Sequence, residues 1–283
     1  MNVSAIQLFF FHTPMWLLTL ATFVALSLAY ATGNWFRRRR KRAKPAEAEE
    51  DGTDYDGYIV SGSVGLLALL LGFTFGLAVD RFDSRRALMV AESNAIGTTY
   101  LRAQTFAEPY RDELSRLLTK YVDVRLTLAR STDLNQMKAL LAESDALHAS
   151  MWTATVAAIA PQRDDVASSF MESMNETIDD AAARKAARLA HVPQRVFAVL
   201  FAYMLITSGI LGFVVGEMRR VTAATLLALT TVSYMMIVDI DSPNRGGVRE
   251  SQEAMSDLKA FIAAHPSASF HPAANLALPA PRP

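Results

Sequence analysis

Cysteine is absent from the 283 residues of this chain. Disulfides, cysteine nucleophiles and thiolate metal sites are therefore excluded, and the redox character of its compartment is left open. Catalytic signatures are missing as well. The five histidines (His12, His148, His191, His265 and His271) are scattered, and there is no HExxH, no Gly-rich phosphate loop and no GxSxG. The expectation is a protein that is not an enzyme and holds no cofactor. Net charge is absent too, with 28 basic residues against 28 acidic ones, so the overall balance draws the chain neither to nucleic acid nor to an acidic partner. Between Asp80 and Gln194, β-branched runs and glycine are scarce, which removes strand signals and points to a bundle of long antiparallel helices. The apolar stripes of that bundle are read as core packing.

Long apolar runs take the place of these features. Hydrophobic residues make up 51% of the chain, and four segments approach or exceed the length of a membrane span. The fold class expected is an all-α membrane protein: four transmembrane helices plus an extramembrane bundle, with the lipid membrane as a partner. The organising run is Tyr58 to Val79, uncharged over 22 positions, which as a helix covers roughly 33 Å and suffices to cross a bilayer. It continues without proline to Arg102, so a single helix leaves the membrane. Gly62, Gly65, Gly72 and Gly76 fall within about a quarter of its circumference, where another backbone could approach. This stripe predicts helix-on-helix packing, including self-association with other copies of the chain.

In chain order, residues 1–36 hold an N-terminal segment and a first span from Met15 to Phe36. A cleaved signal peptide would have a basic leader and a shorter apolar core, whereas here the basic cluster Arg37 to Arg42 and Lys44 follows a full-length run. That cluster is read as a topological signal, with a nucleic-acid or anionic-lipid patch as the other reading. It opens a linker, 37–57, whose polar, acid-rich part from Pro45 to Asp56 is expected to have no fixed structure. The second span occupies 58–79 and the extramembrane helical domain 80–194. Within that domain Pro109 opens a helix, Ser131, Thr132 and Asp133 supply a cap for the next, and Asp164 or Asp165 caps a third. The third and fourth spans fill 195–240 and are antiparallel, because only Glu217 to Arg220 joins them. A short helix follows in 241–264, and the Pro- and Ala-rich end, 265–283, is expected to be disordered.

Two charged constellations stand out. Asp239 and Asp241 in DIDSPNRGG, with Asn244, offer a weak cation site, calcium for example. An EF-hand loop would place Asp or Asn at Pro243 and Gly at Asn244, although Glu250 falls at the terminal ligand spacing. The alternative is that both carboxylates pair with Arg245, Arg249 or an arginine of the long helix. Asp80, Arg81, Asp83, Arg85 and Arg86 begin on the turn where the second span leaves lipid. They are read either as a solvated face or as a charge network bonding between helices.

The segments LLGFTFGLAVDRFDSRRALMVAESNAIGTTYLRA, HVPQRVFAVLFAYMLITSGILGF and DIDSPNRGG resemble a bacterial bestrophin-like family over roughly Gly57 to Lys259. LGFTFGLAVDRFDSRR is similar to the second transmembrane helix of bestrophins, in which a Gly-aromatic pair precedes an Arg-aromatic pair by two turns. The resemblance implies a pentameric ion channel in a bacterial inner membrane. Its neck, carried over by matched position, would be Gly65, Leu69 and Phe73. This chain departs at Gly65, where bestrophins have a larger apolar residue, and in lacking a counterpart to the acidic calcium clasp beyond Asp239 and Asp241.

Leu69, Phe73 and Asp80 lie within about 40° of one another at 100° per residue. If Phe73 faces an axis, so does Asp80, and a ring of carboxylates would favour cations among inorganic ions. Arg81 points about 100° away. The other function class is a membrane-anchored scaffold or signalling protein with a partner-binding helical domain. The basic cluster after the first span, with Arg219 and Arg220, puts both loops in the cytoplasm and the helical domain in the periplasm. The family resemblance implies the opposite side.

Overall fold

The computed structural model describes residues 13–43, 53–161, 164–215, 220–242 and 247–270. Lys44, the acidic residues from Glu47 to Asp51, the turn residues Glu217 to Arg219, the loop residues Pro243 to Arg245 and the tail 271–283 lie outside them. Among the described residues the structure is all helix: α1 Met15–Ala43, α2 Thr53–Ala103, α3 Tyr110–Arg130, α4 Leu134–Ile159, α5 Asp165–Leu189, α6 Gln194–Val215, α7 Arg220–Asp241 and α8 Glu253–Ala264, then a 3-10 turn Ser267–Phe270. Four stretches, Met15–Ala43, Gly57–Ala103, Asp165–Val215 and Val221–Asp241, contain helices long and apolar enough to cross a membrane. The chain is a multi-pass membrane protein.

Helix α2 is continuous over 51 residues, about 75 Å at a 1.5 Å rise. No proline interrupts it, and its start at Thr53 lies inside the stretch expected to be an unstructured linker. Helix α1 likewise runs on to Ala43, past the expected end of the first span at Phe36. Arginine and lysine are good helix formers, so the basic cluster continues the helix rather than ending it.

The chain divides into two compact units, 1–82 with 190–249 and 83–189 with 250–283. The first gathers α1, the beginning of α2, α6 and α7 around Leu26, Leu67, Ala78, Leu200, Met204, Leu227, Ile237 and Ile240. Its tightest crossing is between α1 and α6. A Cβ on Gly33 would collide with the backbone of Gly209 and come within 2.9 Å of the Phe213 amide nitrogen, and one on Gly212 would collide with the backbone of Tyr30. Only glycine lets these two backbones meet, as in other small-residue helix contacts.

The second unit packs the end of α2 with α3, α4, α5 and α8 around Ile96, Tyr100, Leu118, Tyr121, Met151, Phe170 and Met174. Local signals set its helix starts. Asp133 caps α4 by accepting from the Asn135 amide at 3.0 Å, and Asp164 caps α5 by accepting from the Ala167 amide at 2.9 Å. Helix α8, which the sequence division set apart from the helical domain, belongs to this unit. Met255, Leu258 and Ile262 are buried in the common core, Ser93 Oγ donates to the Ala254 carbonyl at 2.9 Å, and Lys259 pairs with Asp123 at 2.6 Å.

Candidate functional site

The spacing of residues along α2 gives its membrane half two unlike faces. Leu67, Thr74 and Ala78 point into the first unit and are buried. The Thr74 hydroxyl donates to the Leu70 carbonyl at 2.8 Å, so no polar group is left over on that face. On the opposite side, Gly62, Gly65, Leu69, Gly72, Phe73, Gly76 and Asp80 share an arc of about 100° at 100° per residue. All are exposed; Leu69 retains 52% and Phe73 66% of its surface. Nothing stands within 4 Å of where a Cβ would be on Gly62, Gly65, Gly72 or Gly76. The four glycines, Leu69, Phe73 and Asp80 thus share one exposed face of α2, and at the glycines no other atom of the described protomer comes within 4 Å of a Cβ position.

Beyond Asp80 the charged cluster separates. Arg85 turns inward, 1% exposed, with Nε 3.0 Å from Glu250 Oε1. Asp83 and Arg86 are exposed and Arg81 is half-buried. Asp239 and Asp241 are engaged by their own chain. Asp239 accepts from the Gly247 amide at 3.1 Å and the Val248 amide at 3.3 Å. Asp241 accepts from the Val192 amide at 2.9 Å, and its Oδ2 lies 3.5 Å from His191 Nδ1. These bonds tie the end of α7 to the segments beside it. Among the described residues no group of three or more acidic or histidine side chains is placed to hold a metal ion.

Farther along α2, in the second unit, lies a buried centre that the sequence reading did not single out. Glu92, 0% exposed, accepts from Tyr121 Oη at 2.8 Å, Arg125 Nη2 at 2.9 Å and Arg184 Nη1 at 2.7 Å. Arg184 Nη2 donates onward to Gln252 Oε1 at 2.9 Å. Burial opposes ionisation of Glu92, but the two guanidiniums outweigh it and hold the carboxyl below the usual range. Burial, reinforced by the Glu92 charge, pushes the Tyr121 phenol up, so it stays a neutral donor. One signal was legible: Arg125 continues the Leu114, Leu118, Tyr121 stripe of α3, where a cation is out of place unless a buried acid meets it. Which acid it meets is decided by helices far apart in sequence.

A family model described as "Bestrophin-like domain" matches residues 16–255. Comparison with curated proteins gives no match. Among solved structures, the chain is similar to a bacterial bestrophin homolog from Klebsiella pneumoniae, with TM-score 0.63 and 15% identity, covering 90% of this chain and 98% of that one. A point variant of that protein gives TM-score 0.61 and 14% identity over 84% and 98%. A structure described as a membrane protein gives TM-score 0.62 and 12% identity over 90% and 97%. At such identities the likeness concerns the fold.

Proposed function

The chain belongs to the bestrophin-like family, and from that premise we propose that it is a homo-oligomeric ion channel whose pore is lined by the open face of α2. Five copies are the number that the resemblance to bestrophin channels implies. The observation that carries the proposal is the exposure of Leu69 and Phe73 on the same arc of α2 as Asp80 and four glycines that meet nothing within 4 Å in the described protomer. In lipid, such a face gains little by remaining uncovered, because glycines lose the close backbone contacts they permit. Set around a symmetry axis, Leu69 and Phe73 narrow a water path to a hydrophobic constriction that gates by dewetting, with Gly65 on the same line. Asp80 supplies a ring of carboxylates at one mouth, which concentrates cations and repels anions.

Orientation in a bacterial inner membrane follows from charge. Gly33 of α1 packs on Gly209 of α6, Arg37 to Arg42 fill the last turns of α1, Arg219 and Arg220 follow α6 in the sequence, and the positive-inside rule assigns both basic groups to the cytoplasm. The helical domain is then periplasmic. Protease added to intact spheroplasts is expected to cut it between Arg81 and Arg195.

The test of the channel is ion flux through the purified protein in liposomes. Phe73→Ala is expected to raise flux, because removing a ring from every copy widens the constriction and lowers the cost of wetting it. Intact oligomers with unaltered flux would remove Phe73 from the pore.

A further inference from the structure

A collar of cations surrounds α1 beyond the depth its span requires. The helix is 29 residues long, about 43 Å at a 1.5 Å rise, whereas a bilayer's hydrocarbon core is about 30 Å thick. Starting from Met15, that thickness is used up near Asn34. What remains is still helical and carries Arg37, Arg38, Arg39, Arg40, Lys41 and Arg42. Six successive positions at 100° per residue point in all directions, so the charge belongs to a level along the helix and not to one face. The macrodipole accounts for cations in a last turn; here they fill nearly two turns.

Trp35 and Phe36 stand immediately beneath, 52% and 58% exposed, in edge-to-face contact with ring centroids 4.8 Å apart. Exposed tryptophan at the end of a span marks the headgroup level. Side chains on a helix lean toward its N-terminus, which here means toward that level. Arg39 does so, with its guanidinium carbon 5.2 Å from the centroid of the Trp35 ring. Arg39 is thus directed back toward the layer that holds lipid phosphates instead of out into water.

We propose that this collar binds the headgroups of anionic phospholipids in the leaflet where α1 ends. The phosphate diester fits the guanidinium fork bidentately, and each basic residue near an anionic surface strengthens binding roughly fivefold. Nucleic acid offers the same phosphates, but it would meet the helix in bulk water, where the aromatic pair below the collar has no part to play. The acidic run from Glu47 to Asp56 is the rival counter-charge in the sequence.

The test is native mass spectrometry of the full chain in detergent, titrated with phosphatidylglycerol or phosphatidylcholine of identical acyl chains. The wild-type chain is expected to retain phosphatidylglycerol preferentially. Arg39→Gln/Lys41→Gln/Arg42→Gln, which keeps Arg37, Arg38 and Arg40 as a topological signal, is expected to lower that preference by roughly tenfold or more. High salt acting on the wild-type chain is expected to do the same, and it reads the same quantity should the variant fail to fold. Equal retention of both lipids, the result expected if the acidic run already neutralises the collar, overturns the proposal. So does a preference untouched by salt or by the triple substitution, and so does salt-sensitive binding of a single-stranded oligonucleotide without any lipid preference.

Discussion

Gly33 of α1 and Gly209 of α6 place their backbones in direct contact, with no room for a Cβ on Gly33. The obstacle is backbone, so neither helix can yield by changing a rotamer. Gly33→Ala is expected to destabilise the protomer by about 1–3 kcal/mol or more through overpacking. Gly212→Ala, which meets the backbone of Tyr30, should behave alike. Thermal unfolding in detergent, followed by helix content and by solubility, measures both.

Gly72→Leu and Gly76→Leu are expected to do the reverse. Nothing in the described protomer stands within 4 Å of a Cβ at either position, so each protomer should fold and melt as before while the assembly dissociates. Particle mass in detergent reads the second effect and thermal unfolding the first. Retention of the assembly in both variants would mean that the glycine face is not where copies meet.

Glu92→Gln removes the carboxylate that pairs with both Arg125 and Arg184 and leaves those two buried guanidiniums without it. The expected cost is about 3–5 kcal/mol, the range for breaking a buried ion pair from one side. The sign of the pH dependence follows from the depressed carboxyl. The ionised form is favoured by folding, so its contribution is complete above the usual carboxylate range and is lost as pH falls through the lower folded-state value. Denaturant midpoints of the wild-type chain should therefore fall on acidification in that window, and the difference from Glu92→Gln should shrink there. A constant difference between the two across the window would contradict this assignment.

Asp80→Asn nearly preserves shape and removes one negative charge per copy. Assembly is expected to be unchanged and preference for cations weaker, seen as a shift of reversal potential in a salt gradient across a planar bilayer. An unmoved reversal potential would place Asp80 away from the ion path.

The membrane spans, the continuity of α2 through its charged half and the caps at Asp133 and Asp164 were all legible in the chain, because each depends on neighbours a few residues away. Hydropathy over 20 positions, the absence of proline and a side-chain oxygen beside a free amide act locally and survive any tertiary arrangement. The common arc of Leu69, Phe73 and Asp80 was legible for the same reason, since helical spacing alone sets it. What periodicity could not tell was whether that arc faced the chain's own helices or open space. Two sets of glycines look the same in sequence. Gly33, Gly209 and Gly212 meet backbone, whereas Gly62, Gly65, Gly72 and Gly76 meet nothing in the described protomer. The docking of α8 beside Ser93 and the meeting of Glu92 with Arg125, Arg184 and Gln252 likewise join residues up to 161 positions apart. Contacts at such separations exist only once packing has brought the helices together, so the tertiary structure alone decides which buried charge neutralises which.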